Sequence, residues 1–173
     1  MAAITKCIDI EIEILQEFDF RQNLIVPNIT NQMGLVPFET DMLVLTKSGC
    51  AYGFEIKTSK SDLRADFKKR QHMNINEMRN GKTGLERFYG KFKHFSYAVP
   101  EFLKEDALKL IPEFCGLYVY DKLDYPQRSR FYCERQPKKL FDYKWNETER
   151  YQVARLGAMR IFNLKLSINS LNK

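Results

Sequence analysis

Residues 41–57, DMLVLTKSGCAYGFEIK, decide the fold. Met42 to Thr46 is a short apolar run, Lys47-Ser48-Gly49 has the composition of a hairpin turn, and Ala51 to Ile56 reads as the returning strand. The hairpin folds Asp41, at the start of the first strand, back beside Glu55, near the end of the second. Side chains two apart on a strand point to one face, so Lys57 sides with Glu55. One end of the sheet is therefore expected to carry two carboxylates, the backbone carbonyl of Ile56 and an ammonium group. The bare Glu-x-Lys pattern is weak, since a chain with 13 Glu and 17 Lys contains roughly one by chance. Its weight comes from the hairpin that sets Asp41 next to it.

Upstream, Leu24 to Thr30 is strand-like, with Pro27 restricting it to an edge or a bulge, and Asn31 to Gly34 supplies turn chemistry. Together with the hairpin this makes a meander. Residues 5–19 read as a helix. Placed at about 100° per residue, Ile4, Cys7, Ile8, Ile12, Ile14, Leu15 and Phe18 share one face, with Asp9, Glu13, Gln16 and Glu17 opposite and Ile10 at the margin. Glu11 falls in the middle of that apolar face.

Downstream, Ser61 is placed to cap a helix that opens with Asp62 and runs to about His72. Residues 73–91 are polar and hold Gly81, Gly84 and Gly90, so they read as a loop or short helix. Phe95 to Val99 is a strand closed by Pro100, Lys104 to Leu110 a helix stopped before Pro112, and Gly116 to Tyr120 another strand. That order favours a parallel central pair. Residues 121–145 read as irregular, and Asn146 with Glu149 resembles a capping box that starts a last helix reaching about Leu164. The expectation is one α+β domain over residues 1–173, with a mixed central sheet flanked by helices, a core over about 5–120 and a C-terminal helix over about 147–164.

A chain of 173 residues suffices for one hydrophobic core rather than two. Its formal charge of +6 is unevenly spread, because residues 57–93 hold eleven Lys and Arg against Asp62, Asp66, Glu77 and Glu86, a net of +7. Such a run is either a solvated helix face or a phosphate-binding surface. Cys7, Cys50, Cys115 and Cys133 are far apart and, with His72 and His94, give no zinc-ligand spacing, so reduced thiols are expected. Both histidines read as surface or satisfied core. Trp145, Tyr118, Tyr120, Tyr125 and Tyr132 read as core aromatics in preference to base-stacking groups. Asp9, Glu11 and Glu13 interrupt any signal-peptide core, and no apolar run approaches membrane length, so a cytoplasmic protein without a membrane partner is expected.

Hydrolysing a phosphodiester at neutral pH needs a cation to offset charge in the transition state, and Mg²⁺ is held best by carboxylate and carbonyl oxygens. Asp41, Glu55 and the Ile56 carbonyl are such a set. Longer runs sharpen the reading. Phe38-Glu39-Thr40-Asp41, then FEIKTSKSDLRADFKK from Phe54 to Lys69, then HFSYAVP from His94 to Pro100 resemble the PD-(D/E)XK nuclease superfamily. Within it, the small bacterial and phage proteins of the MmcB-like DNA-repair type are the most similar. The likeness extends to Leu24–Asn28 and Leu156–Arg160, so it spans most of the chain, and it is weakest over residues 121–145.

That resemblance implies a restriction-endonuclease-like α-β-β-β-α-β core with Mg²⁺, or Mn²⁺ in its place, bound by Asp41, Glu55 and the Ile56 carbonyl. It implies that Lys57 orients or activates the attacking water. It also implies a metal-site acid on the first helix, for which the face assignment selects Glu11; the other reading leaves Glu11 exposed on a strand. Ser59, Lys60, Arg64, Lys68 and Lys69 would meet the DNA backbone, with Asp62 mainly capping, and each also admits a structural role. Thr40 stands where the family often has Pro, and Glu39 is either a supporting acid or an exposed one. The implied activity is a Mg²⁺-dependent endodeoxyribonuclease of DNA repair, recombination or phage DNA metabolism, with DNA as partner and room for a homodimer. The alternative is a catalytically silent DNA-binding accessory protein of the same fold, although a purely binding surface gains nothing from carboxylates facing phosphate.

Overall fold

The computed structural model describes residues 5–31, 34–69, 72, 75–79, 81–123 and 129–171. The chain runs α1 (Cys7–Glu17), β1 (Leu24–Ile29), β2 (Thr40–Leu45), β3 (Ala51–Ile56), α2 (Lys60–Asp66), a small hairpin of β4 (Met78–Arg79) and β5 (Lys82–Thr83), then α3 (Gly84–Tyr89) and β6 (His94–Pro100). A 3-10 turn over Glu101–Leu103, α4 (Lys104–Leu110), β7 (Gly116–Lys122), β8 (Ser129–Arg135) and α5 (Glu147–Leu171) complete it. Six strands form one mixed sheet in the order β1-β2-β3-β6-β7-β8. The meander β1-β2-β3 is antiparallel, β6 and β7 run parallel to β3, and β8 returns antiparallel at the far edge.

Each strand sits where its sequence allows. Pro27 lacks a ladder donor, and β1 is an edge strand. Between Pro27, opposite Met42, and Ile29, opposite Thr40, Asn28 adopts φ +50°, a left-handed conformation that Asn tolerates. Strand β6 lies between two parallel neighbours and is buried from Phe95 to Pro100, in keeping with a sequence that is apolar but for Ser96 and the Tyr97 hydroxyl. Gly49, at φ +79°, makes the β2–β3 turn, with its N–H on the Thr46 carbonyl.

The two sheet faces are covered differently. Ile10 and Ile14 of α1 pack on Met42, Val44, Phe54, Ile56 and Ala98. The other face, with Leu43, Leu45, Phe95, Tyr97, Val99, Leu117 and Val119, takes Leu63 of α2, Tyr89 of α3, Ala107 of α4 and Val153 of α5. Among the described residues no helix is long and apolar enough to cross a membrane.

Several expectations need correction. Ile10, assigned to the margin of α1, is fully buried, whereas Ile8 and Ile12 are 51% and 45% exposed. The sheet contacts only about one stripe of a helix, and the excess of isoleucines in this helix exceeds that stripe. Ser59, not Ser61, caps α2, because its hydroxyl accepts the Asp62 N–H at 3.2 Å, and α2 ends at Asp66. Residues 129–135, expected to be irregular, pair with β7 as the edge strand β8. The last helix continues to Leu171, seven residues beyond Leu164, after a reciprocal cap of two 3.0 Å bonds between Asn146 and Glu149. Ile4, Gln32, Met33, Arg70 and Tyr125 lie outside the described residues.

Gly53 is a packing constraint of the site strand. A Cβ there would lie 2.6 Å from the Phe95 ring and 2.8 Å from the Phe92 ring, both fully buried. Gly53→Ala should therefore destabilise the fold by about 1–3 kcal/mol through overpacking, measured as a lowered urea midpoint. A midpoint equal to wild type would refute this packing.

Candidate active site

Met42 pairs with Phe54, so the next step of the same ladder sets Asp41 opposite Glu55. Asp41 Oδ2 accepts the backbone N–H of Ile56 at 2.7 Å. In an extended strand the N–H and C=O of one residue point to the same edge, so the Ile56 carbonyl faces the Asp41 side as well. Lys57 N–H turns the other way, to the Ala98 carbonyl of β6. Alternation places Asp41, Glu55 and Lys57 on the face that carries Leu43 and Phe95, under α2.

There the side chains meet. Glu55 and Lys57 are 2% and 4% exposed. Lys57 Nζ lies 2.7 Å from Glu55 Oε2, 3.4 Å from Asp66 Oδ1 and 3.9 Å from Asp41 Oδ2. Lys69 Nζ approaches the same cluster from the surface, 2.5 Å from Asp66 Oδ1 and 4.0 Å from Glu55 Oε2. Asp66 Oδ2 accepts the Tyr97 hydroxyl at 2.6 Å and lies 3.0 Å from His72 Nε2. His72 Nδ1 in turn is 3.4 Å from the Tyr89 hydroxyl. The cluster thus holds three carboxylates against two ammonium groups.

The protonation equilibria follow from burial and from these neighbouring charges. Burial, and next the charge of Asp41, push Glu55 up to about 7 despite the pull of Lys57. For Lys57, burial would favour the neutral amine, but Glu55, Asp66 and Asp41 outweigh it and hold the ammonium above its usual range. Burial would also raise Asp66, yet His72, Lys57, Lys69 and Tyr97 carry it well below the usual carboxylate range. Lys57 is consequently a fixed cation at neutral pH, and Glu55 is the group poised to change charge.

The other expected site residues divide. Glu11 is half-buried on α1, which covers the opposite sheet face, and its carboxylate accepts the Cys7 thiol at 3.5 Å. The Cys7 thiol is pushed up to about 12 by burial, then by Glu11 and by Asp41, so the first turn of α1 borders the site. Ser59 is occupied as the α2 cap. Lys60 pairs with Asp106 at 2.8 Å, whereas Arg64 and Lys68 are exposed and Lys69 turns inward. Glu39 is exposed and lies within the field of Arg160, as the second of its two readings had it.

Asp66 and His72 belong to the cluster and were missing from the expected site. The signal for Asp66 was its spacing: it follows the buried Leu63 by three residues on α2, which puts it on the inward stripe. No sequence signal pairs His72 with it. Among the described residues no group of three or more His, Cys, Asp or Glu is arranged to hold a metal ion. Asp41 and Glu55 are a pair of carboxylates that the Ile56 carbonyl and water would have to complete. Burial, and next the charge of Asp41, raise Glu55, and a cation between the two acids would relieve the second.

No family model and no curated protein matches the chain. Among solved structures, it is similar to the SPO1766 protein of unknown function from Silicibacter pomeroyi, at 15% identity and a TM-score of 0.55, over 94% of this chain and 90% of that one. At that identity the likeness speaks to the α+β fold alone.

The elevated Glu55 has a stability consequence. Its folded value of about 7 exceeds the ordinary 4.5, so the native state binds a proton that the unfolded chain has released, and stability falls as pH rises from 4.5 through 7. Glu55→Gln should remove that part of the pH dependence of the urea midpoint. In addition, Asp41→Asn should lower the Glu55 titration seen by carboxyl NMR. An unshifted Glu55 in that variant would contradict the proximity of the two acids.

Proposed function

We propose that the chain is a metal-dependent nuclease acting on DNA. The observation that carries this reading is the Asp41–Glu55 pair, set side by side at the end of two strands with a buried, permanently charged Lys57 against it. The resemblance of residues 54–69 and 94–100 to PD-(D/E)XK nucleases supports it. A cytoplasmic place in DNA repair, recombination or phage DNA metabolism goes with the same reading.

Asp41, Glu55 and the Ile56 carbonyl would hold Mg²⁺, or Mn²⁺ in its place, whose charge offsets that developing on a phosphodiester under attack by water. Glu55 would have to be ionised to take part, and a bound cation would favour that ionised form over the protonated one that burial promotes. Lys57 keeps its proton, so its part is to donate hydrogen bonds that orient the water and to stabilise negative charge, rather than to act as base. Asp66, bonded by Tyr97 and His72, holds Lys57 from the other side and is a positioning residue. Exposed Arg64 and Lys68 on and after α2 are the residues free to meet DNA phosphates. Glu11, at the border of the site, is proposed only as an outer member.

The test is cleavage of linear, nicked, flapped and branched DNA with Mg²⁺ or Mn²⁺. Asp41→Ala and Glu55→Gln should each lower the rate by about 100-fold or more, and Lys57→Met by a comparable factor. Cleavage that is metal-independent or equal in Asp41→Ala would overturn the nuclease reading. DNA binding without any cleavage would favour the accessory protein instead.

A further inference from the structure

A cavity of about 660 Å³ opens between residues 34–37, the β5–α3 segment and the 141–143 stretch, with Pro37, Lys82, Arg87, Lys91, Phe141 and Tyr143 among its walls. We propose that this cavity receives one unpaired nucleotide of a single-stranded DNA segment that continues to the Asp41–Glu55 centre. The inference rests on the nuclease reading for its ligand class and goes beyond it in naming single-stranded substrate and a second contact site.

Size and chemistry both fit. The volume lies within the ordinary range for a small-molecule site, about 300–1,000 Å³. Two aromatic rings line it, and base stacking on such rings is sequence-tolerant. Tyr143 is held in place, because its hydroxyl donates to Glu149 at 2.8 Å and Lys91 Nζ stands 5.7 Å from its ring centre. Lys91 is itself paired with Glu149 at 2.8 Å and Arg87 with Glu77 at 3.7 Å, which makes Lys82, 61% exposed, the cation most open to phosphate. The Lys82–Glu86 pair, at 3.5 Å with side chains 61% and 40% exposed, is loose enough for phosphate to displace. Arg87 adds a guanidinium that Glu77 holds through Nη2, while its buried Nε has no hydrogen-bond partner among the described residues.

Position fits as well. Pro37 is in the cavity wall and Asp41 is four residues on, so their Cα atoms are at most about 14 Å apart. From the other side, α3 lends Arg87 to the cavity and Tyr89 to the His72–Asp66 network. A strand seated in the cavity thus begins within a few nucleotides of the candidate metal-binding acids. A base inside a duplex is already stacked and paired, so the cavity selects for unpaired DNA.

The test is binding of a fluorescent deoxythymidine 12-mer without divalent metal, using the full chain. Lys82→Glu should weaken binding about tenfold and reduce the salt slope by about one, whereas Lys109→Glu, an exposed change on α4, should leave it unchanged. A 5-iododeoxyuridine-substituted 12-mer should photocrosslink to Phe141 or Tyr143. Unchanged affinity in Lys82→Glu, crosslinks confined to other segments, or equal competition by a blunt duplex would each overturn the assignment. Because binding is read without metal, that failure is distinct from loss of the nuclease reading, which is judged by Asp41-dependent cleavage.

Discussion

An ammonium group at 4% exposure must be surrounded by opposite charge or lose its proton, and Lys57 meets that demand with carboxylates from three elements: Asp41 of β2, Glu55 of β3 and Asp66 of α2. The contact is therefore a tie between the meander and the helix that covers it. Removing Lys57 would leave the buried Glu55 and Asp66 without their shared cation, which is why such a cluster holds its geometry even though a buried ion pair is a poor source of net stability. Burial, and next the charge of Asp41, make Glu55 the group whose charge remains adjustable.

Around that cluster the apolar packing fixes where the charged groups can go. Phe92 and Phe95 fill the space above Gly53, two residues before Glu55, so the site strand cannot shift without disturbing fully buried rings. Tyr97 lies opposite Glu55 on the parallel neighbour and reaches Asp66 with its hydroxyl. Phe67 stacks on Tyr97 with ring centres 5.8 Å apart. Chemistry and core are thus continuous on this face, whereas α1 on the other face packs through isoleucines and brings only its first turn to the border of the site.

The irregular stretch from residue 136 to 146 is held without regular secondary structure by scattered backbone bonds, Lys138 to Phe114, Leu140 to Lys93 and Trp145 to Gly49. Trp145 is 3% exposed and donates its indole N–H to the Lys91 carbonyl. This strap ties the hairpin turn, the start of β6 and the last helix together, and it forms one wall of the basic cavity. Its composition alone reads as a loop, because nothing in a run of lysines and aromatics says which distant carbonyls it will meet.

Much was legible from the chain itself, and for a local reason. Turn residues at Lys47–Gly49 and two-residue alternation suffice to put Asp41, Glu55 and Lys57 on one face; Pro27 suffices to send β1 to an edge; Asn146 and Glu149 suffice to start the last helix. Each depends on backbone chemistry over a few residues. What only the tertiary structure decided depends on distance in space between segments far apart in sequence. The stripe of α1 that is buried follows from where the sheet lies, so Ile10 rather than Ile8 faces the core and Glu11 is left at the flank. Residues 129–135 become a strand because β7 offers them an open edge. Asp66 meets Lys57, and His72 and Tyr97 meet Asp66, because α2 folds back over β3 and β6; helical spacing turns Asp66 inward but does not say which buried charge it will find there.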